Sequence, residues 1–465
     1  MPTLPHAILA HCKVHKDYLQ KPTLQRAKNA NAKILSSFYK TSHMNENLTT
    51  RWSPTERVIF RFFFTYLLLF LVFVPQLFLE EKLFPFLDFL NLPYKIITLP
   101  FITWIGNAFF RITFSDYWYG GDSLFAYVTI LVLFIHSILI TIIWSLLDKQ
   151  KAYHSLYRYM HLCTRYFLAY ALFSYGFNKL SGSQFRFPSP VRMIQPYGDL
   201  NHWDVLWSFM GSSRSYSFFG GLIETICGLL LLFRKTSTVG ALLTLGTLGN
   251  VLMINIGYGV MVKIMLVNYL LMSFFVLAHN VKNLYRLFIL HKSGSFSIVP
   301  LAFQGVKKYR WIFIGLKICL IFLILYPLSK REIGNISWRS EYEKSEGIYI
   351  VEEFNLGKQS SSPLTTDTLR WKKMVTRYDD DMAIQFANGS LKFYKYKMDT
   401  SAKTFTLNDP RDKKIKSEFL YTRPSPKHYL FEGVLNADSV HIMVRKFDMD
   451  SLPLVKNRGK IKWYQ

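Results

Sequence analysis

Long apolar runs separated by short polar ones dominate the first 330 residues, and each run is near the 20 residues that a membrane-crossing helix needs. Seven qualify, at residues 58–79, 123–147, 159–180, 216–233, 237–257, 262–279 and 311–328. An eighth, residues 94–110, is shorter and broken at Pro100 and Asn107, which suits a re-entrant or interfacial segment. After Tyr326-Pro327 the pattern changes to short alternating runs. Residues 347–354, 382–386, 391–397, 404–407, 428–434 and 439–447 read as strands, with Asn388-Gly389-Ser390 as a hairpin turn. They predict a small antiparallel sheet, sandwich or half-barrel of about 120 residues. The expected fold is therefore an all-α polytopic membrane protein of about seven spans plus a small C-terminal mainly-β extramembrane domain.

Composition narrows this further. Half of the 465 residues are hydrophobic and only 18% are charged, which excludes a mainly disordered chain. The net charge of +26 would suggest nucleic acid in a soluble protein. Here the basic residues flank apolar runs, so they are read as orientation signals and no nucleic-acid partner is expected. The N-terminal tail, Lys149, Lys151 and Arg158, then Arg234 and Lys235, then the loop from Lys282 to Arg310 are basic, and the intervening loops are less so. The positive-inside rule puts the N-terminus in the cytoplasm and, with seven spans, the C-terminal domain on the far side. The expected layout is a basic cytoplasmic tail (1–55), N-terminal helices (56–158), a four-helix bundle (159–281), a cytoplasmic loop with the last helix (282–330) and an extracytoplasmic β domain (331–465). Four cysteines without a CxxC pair argue against a disulfide scaffold or a cysteine metal site. His11, Cys12 and His15 offer too few ligands for a metal, and no nucleotide motif is seen.

Ionisable groups inside apolar runs cost about 2.5–3.5 kcal/mol each on insertion scales and demand a reason. Glu224 stands in mid-run among Gly220, Gly221, Cys227 and Gly228, small residues that let another helix pack closely. It reads either as a proton carrier beside a polar head group or as half of a buried ion pair. Arg165 and Lys179 share one run, about 21 Å apart along a helix. Asn255 lies in the fifth run, and Tyr258 and Lys263 flank the turn after it, so that Lys179, Tyr258 and Lys263 have the spacing to meet at one end of a bundle. Between the third and fourth runs, Gln184, Asp199 and the aromatic piece 203–211 read as a lid, or as an aromatic anchor in the interface.

These motifs resemble the DoxX-like family of bacterial multi-pass membrane proteins. The similarity lies in the Arg165 to Lys179 run with its Tyr-Gly-x-x-Lys ending, Glu224 followed by Gly228-Leu229-Leu230, Gln184-Phe185, Gly198-Asp199, Phe209-Met210-Gly211, residues 230–236 and 255–263, and Gly121-Asp122. It covers most of the chain from about Trp52. Tyr258-Gly259 departs from the Tyr-Asp common in the long subgroup. The resemblance implies a four-helix bundle core in the bacterial inner membrane. Some relatives in this family belong to a thiosulfate:quinone oxidoreductase, although no thiosulfate motif is present here. A quinone-linked oxidoreductase component is thus one expectation. In it Lys179, Tyr258, Lys263, Asn255, Gln184, Asp199 and Arg165 bind a lipid-soluble head group such as a quinone, and Glu224 moves the proton, with membrane lipids around the bundle and electrons from a redox partner. The alternative is a non-enzymatic scaffold whose β domain docks an envelope partner.

Overall fold

The computed structural model describes residues 52–73, 96, 98–111, 121–300, 310–357, 367–378, 380–411, 416–435 and 438–456. The tail with His11, Cys12 and His15 lies outside them. The chain divides into two compact units, one reaching to Arg61 and including Thr141–His154, the other made of Phe62–Ile140 and everything from Ser155 on.

The helices are α1 (Pro54–Phe73), α2 (Leu99–Phe110), α3 (Leu124–Leu147), α4 (His154–Ser181), α5 (Pro190–Ile194), α6 (His202–Ser212), α7 (Arg214–Leu232), α8 (Ser237–Gly257), α9 (Lys263–Leu277), α10 (Val281–Phe288), α11 (Arg310–Ser345) and α12 (Pro453–Lys456). A reciprocal capping box starts α1: Ser53 N donates to Glu56 Oε2 at 2.8 Å, and Glu56 N to Ser53 Oγ at 3.1 Å. Within the same unit Arg61 Nε donates to Tyr153 Oη at 2.9 Å, and Tyr153 Oη and Trp144 Nε1 each donate to Asp148 Oδ2 at 2.9 Å. This knot satisfies a buried guanidinium without leaving it a bare charge.

In the larger unit α7, α8 and α9 pack in sequence. Their hydroxyls bond to carbonyls one turn back, as Thr244 Oγ1 does to Gly240 O at 2.7 Å and Ser273 Oγ to Tyr269 O at 3.0 Å, which hides polar groups inside apolar helices. Among the described residues four helices are long and apolar enough to cross a membrane: α3, α7, α8 and the run Lys263–Phe288 formed by α9 and α10. The 12 residues of α2 span about 18 Å, short of the hydrocarbon core of about 30 Å.

A long-range cap starts α9. Asp122 Oδ1 accepts from Ile264 N and Oδ2 from Lys263 N, both at 3.0 Å, and Lys263 Nζ lies 2.9 Å from Oδ2. The carboxylate thus sits on exposed N–H groups at the positive end of a helix dipole. Gly121, at φ +67°, makes the turn possible, because a Cβ there would stand 2.6 Å from Met261 O.

The C-terminal part is a closed, eight-stranded antiparallel barrel of β1 (Gly347–Leu356), β2 (Trp371–Thr376), β3 (Asp381–Phe386), β4 (Leu391–Asp399), β5 (Thr404–Asn408), β6 (Lys416–Ser425), β7 (His428–Leu435) and β8 (Asp438–Lys446). Each strand pairs with the next, and β8 returns to β1, with Phe354 opposite Ile442. Register shifts in the β1–β8, β2–β3 and β6–β7 pairs are the bulges that bend strands enough to close the sheet. Phe354, Trp371, Phe405, Phe419 and Phe431 fill the interior. Glu353, Lys372, Lys392, Glu418 and Glu432 face outward, the reverse of a lipid-facing barrel.

The expected fold class is corrected on two counts. The β part is no small cap on an all-α protein but a complete barrel, to which β2 and β6 supply the strands missing from the sequence reading. Four helices, not seven, meet the length and apolarity needed to span among the described residues. Glu56, Arg57 and Arg61 crowd the first two turns of α1, and α4 carries Arg158, Arg165 and Lys179.

Burial pushes the Asp122 carboxyl up, but the bonds from the Lys263 side chain and the Ile264 and Lys263 N–H groups, with the Lys263 charge, outweigh it and hold it below the usual carboxylate range. Its contribution is therefore present above the unfolded value of about 3.9 and is lost as pH falls through the lower folded value. Asp122→Asn should cost about 2 kcal/mol of stability at pH 7. The gap from wild type should shrink as pH falls below the usual carboxylate range in thermal unfolding; a gap independent of pH would show that the charge contributes nothing.

Candidate functional site

The site begins with glycines. Helices α4 and α7 run antiparallel, with Ala169 beside Gly228 and Gly176 beside Gly221. A Cβ on Gly221 would stand 2.6 Å from Gly176 O, and one on Gly176 would stand 2.5 Å from Thr225 Oγ1. Only small residues allow backbones this close. Three residues on from each glycine are Lys179 and Glu224. The contact brings them together: Lys179 Nζ donates to Glu224 Oε1 at 2.8 Å and to Oε2 at 2.7 Å. They are 6% and 2% exposed, so water screens the pair little. The ammonium also lies 5.6 Å from the Tyr175 ring centroid, one turn back on α4.

A cavity of ≈ 80 Å³ opens against this pair. Tyr175 and Lys179 of α4, Glu224 of α7, and Leu248, Val251 and Asn255 of α8 form its walls, with Val260, Val262 and Leu266 beyond. Gln184, Phe185, Leu206, Trp207 and Met210 cover it. Two further buried polar atoms among the lining residues, Asn255 Nδ2 and Gln184 Oε1, have no hydrogen-bond partner. Apolar walls with a few convergent polar groups are the usual makeup of a small-molecule site, and unpaired buried amides are costly enough to need an explanation.

The cover is a built element. Asn201 Oδ1 accepts from Asp204 N at 2.8 Å at the start of α6, and Asp204 pairs with Arg192. Trp203 and Trp207 stack at 4.1 Å, and Phe185 meets Trp207 edge-on at 5.3 Å. At Gly211 a Cβ would overlap the Arg186 carbonyl, so the end of α6 can cross this backbone only as glycine. Val191 of α5 packs with Ile348, Val375 and Ala383 of the barrel, and Gln385 Nε2 donates to Ile194 O at 3.3 Å. A second, larger cavity of ≈ 530 Å³ lies on this side, bounded by Arg186, Arg192 and Trp203 and by Glu346, Arg377 and Asp450. Gln184 and Trp207 line both cavities and form the wall between them.

Of the residues singled out from sequence, Lys179, Glu224, Asn255 and Gln184 meet at the inner cavity. Tyr258 is exposed past the end of α8, Lys263 is held by Asp122, and Asp199 is exposed in a single 3-10 turn. Arg165 lies beyond the middle of α4, toward its His154 end, and donates to Leu232 O at 3.3 Å. The sequence reading took Tyr175 only as part of the Tyr-Gly-x-x-Lys motif and gave it no role, although it stands four residues before Lys179 on the same helix face. It also missed Glu332, 5% exposed, which accepts from Ser181 Oγ at 2.5 Å and from Arg331 Nε at 3.0 Å. Its signal was weak, because it lies beyond the apolar part of α11 in a charged stretch.

No protein-family model matches this chain. Among curated proteins it is similar to the "Uncharacterized protein YwoB" of Bacillus subtilis (strain 168), at 32% identity over 92 residues. That stretch is 20% of this chain and 57% of the relative, so the chain spans less than two thirds of that protein's length. No solved structure matches.

Removing one partner of the ion pair leaves a buried charge uncompensated. Lys179→Met and Glu224→Leu should each cost about 3–5 kcal/mol, and the double variant should recover most of that loss in a thermal-unfolding cycle. Additive losses would mean that each residue acts through other partners.

Proposed function

We propose that this protein is a DoxX-like integral protein of the bacterial inner membrane, and that the inner cavity binds the head group of a lipid-soluble quinone. The observation that carries the reading is the set of groups meeting there: an ammonium and a buried amide N–H, both donors, beside a carboxylate and an unpaired amide oxygen. A quinone presents two carbonyl acceptors, which Lys179 and the Asn255 amide suit; a quinol presents hydroxyls, which Glu224 and Gln184 Oε1 suit. Reduction takes two electrons and two protons. Glu224 would pass one proton to the ring oxygen nearest it, with Lys179 steadying the charge that develops there, and the second proton would reach the other oxygen from solvent water. The electrons would come from a reduced partner protein, since among the described residues no group of three or more His, Cys, Asp or Glu could hold a metal.

The lid and the barrel lie at the Lys179 end of α4, while Arg165, Arg234 and Lys317 lie at the opposite end. The positive-inside rule puts that basic end in the cytoplasm and the cavity, lid and barrel on the outer side. A second reading rests on the mutual satisfaction of Lys179 and Glu224: the pair specifies packing, and the protein is a scaffold whose barrel docks an envelope partner.

Asn255 separates the two. Protein purified in mild detergent should yield near-stoichiometric quinone by extraction and mass spectrometry. Asn255→Leu should fold as well as wild type, because it removes an unpaired amide, yet retain about tenfold less quinone. Absence of quinone from well-folded wild type, or equal retention in Asn255→Leu, would favour the scaffold.

A further inference from the structure

In the half of α4 away from the cavity, three neighbouring polar side chains are buried with atoms that bond to nothing. His161, Thr164 and Arg165 are 2%, 0% and 2% exposed, and His161 Nε2, Thr164 Oγ1 and Arg165 Nε have no hydrogen-bond partner. Their spacing puts them on one helix face over successive turns. Arg234 lies within electrostatic reach of Arg165, and both lie within reach of Lys317 on α11. The contacts these cations make are neutral: Arg165 Nη2 to Leu232 O at 3.3 Å and the Arg165 guanidinium to the Tyr166 side chain, 5.7 Å from its ring centroid, Arg234 Nη1 to Val299 O at 3.2 Å, and Lys317 Nζ 4.3 Å from the Phe233 ring centroid. Among the described residues none of the three forms an ion pair.

The carbonyl end of α7 offers about half a negative charge against three formal cations. One carbonyl takes one of the five N–H donors of Arg165. Helix capping therefore accounts for only part of the cluster. What remains is the unpaired Arg165 Nε, two further cations, and the unpaired His161 Nε2 and Thr164 Oγ1 on adjacent turns. Tetrahedral oxyanions suit that set, because arginine binds two of their oxygens at once while the other groups reach the rest.

We propose that this cluster is a phosphate-binding site, filled either by the phosphate of an anionic phospholipid head group or by free phosphate. It is separate from the cavity at Lys179 and Glu224, being about 21 Å away along α4, and it stands whether or not that cavity holds a quinone.

The full-length protein in mild detergent tests it through thermal unfolding. Mixed micelles of phosphatidylglycerol are compared with phosphatidylcholine of the same chains, and inorganic phosphate with chloride at equal ionic strength. Wild type and Lys292→Gln, an exposed basic residue elsewhere, should be stabilised by the phosphate-bearing anion. Arg165→Gln and Lys317→Gln should need at least about tenfold more of it for the same shift. Stabilisation by phosphatidylglycerol alone identifies a lipid head group, and stabilisation by inorganic phosphate identifies the free anion. Lys317 is only half-buried, so Lys317→Gln carries the test if Arg165→Gln does not fold. Equal responses in all four proteins, or no anion response in wild type, would overturn the proposal.

Discussion

Backbone contact between Gly176 and Gly221 is the constraint on which the helical part depends. Without it Lys179 and Glu224 would not reach one another, and each would be a lone buried charge, which a helix bundle tolerates poorly. With it the two neutralise each other away from water, and the space beside them becomes a cavity with apolar walls. The order of causes runs from two missing side chains, to a short interhelical distance, to an ion pair, to a polar corner in an apolar pocket. Enlarging either glycine would therefore reach the chemistry of the cavity without touching a residue that lines it.

Much of this site was legible in the sequence, because a charge inside an apolar run is conspicuous. Lys179 and Glu224 were visible in that way, Asn255 as a polar residue inside an apolar run, and Gln184 only as part of the lid between two runs. Lys263 was equally visible, but its partner Asp122 is 141 positions earlier, and no local pattern announces such a pairing. Tyr258 was chosen for its nearness in sequence to Lys263; the helix ends before it, and the side chain points out of the bundle. For Arg165 helix arithmetic had already set the distance, so its separation from the cavity follows from rise per residue alone.

In the barrel, six strands were read close to their observed bounds and two were not seen. Strand β2 contains Lys372-Lys373 and β6 contains Arg423-Pro424, which interrupt the alternation that marks a strand. With those two absent the remaining strands look like an open sheet or half-barrel. Closure is a property of the whole set of pairings, so losing two members changes the class of fold and not merely its size. The helical count differs in part for another reason: the first and third runs form the helices α1 and α4, but their charged turns disqualify them as simple spans.

A closed sheet has a consequence for recognition. Every strand of the barrel already has two neighbours, so among the described residues none is an edge strand along its whole length. Association by adding a full strand is therefore disfavoured in this half of the molecule. A protein that recognises it must do so through the charged outer faces or the connecting loops, where sequence can change without disturbing the pairings inside.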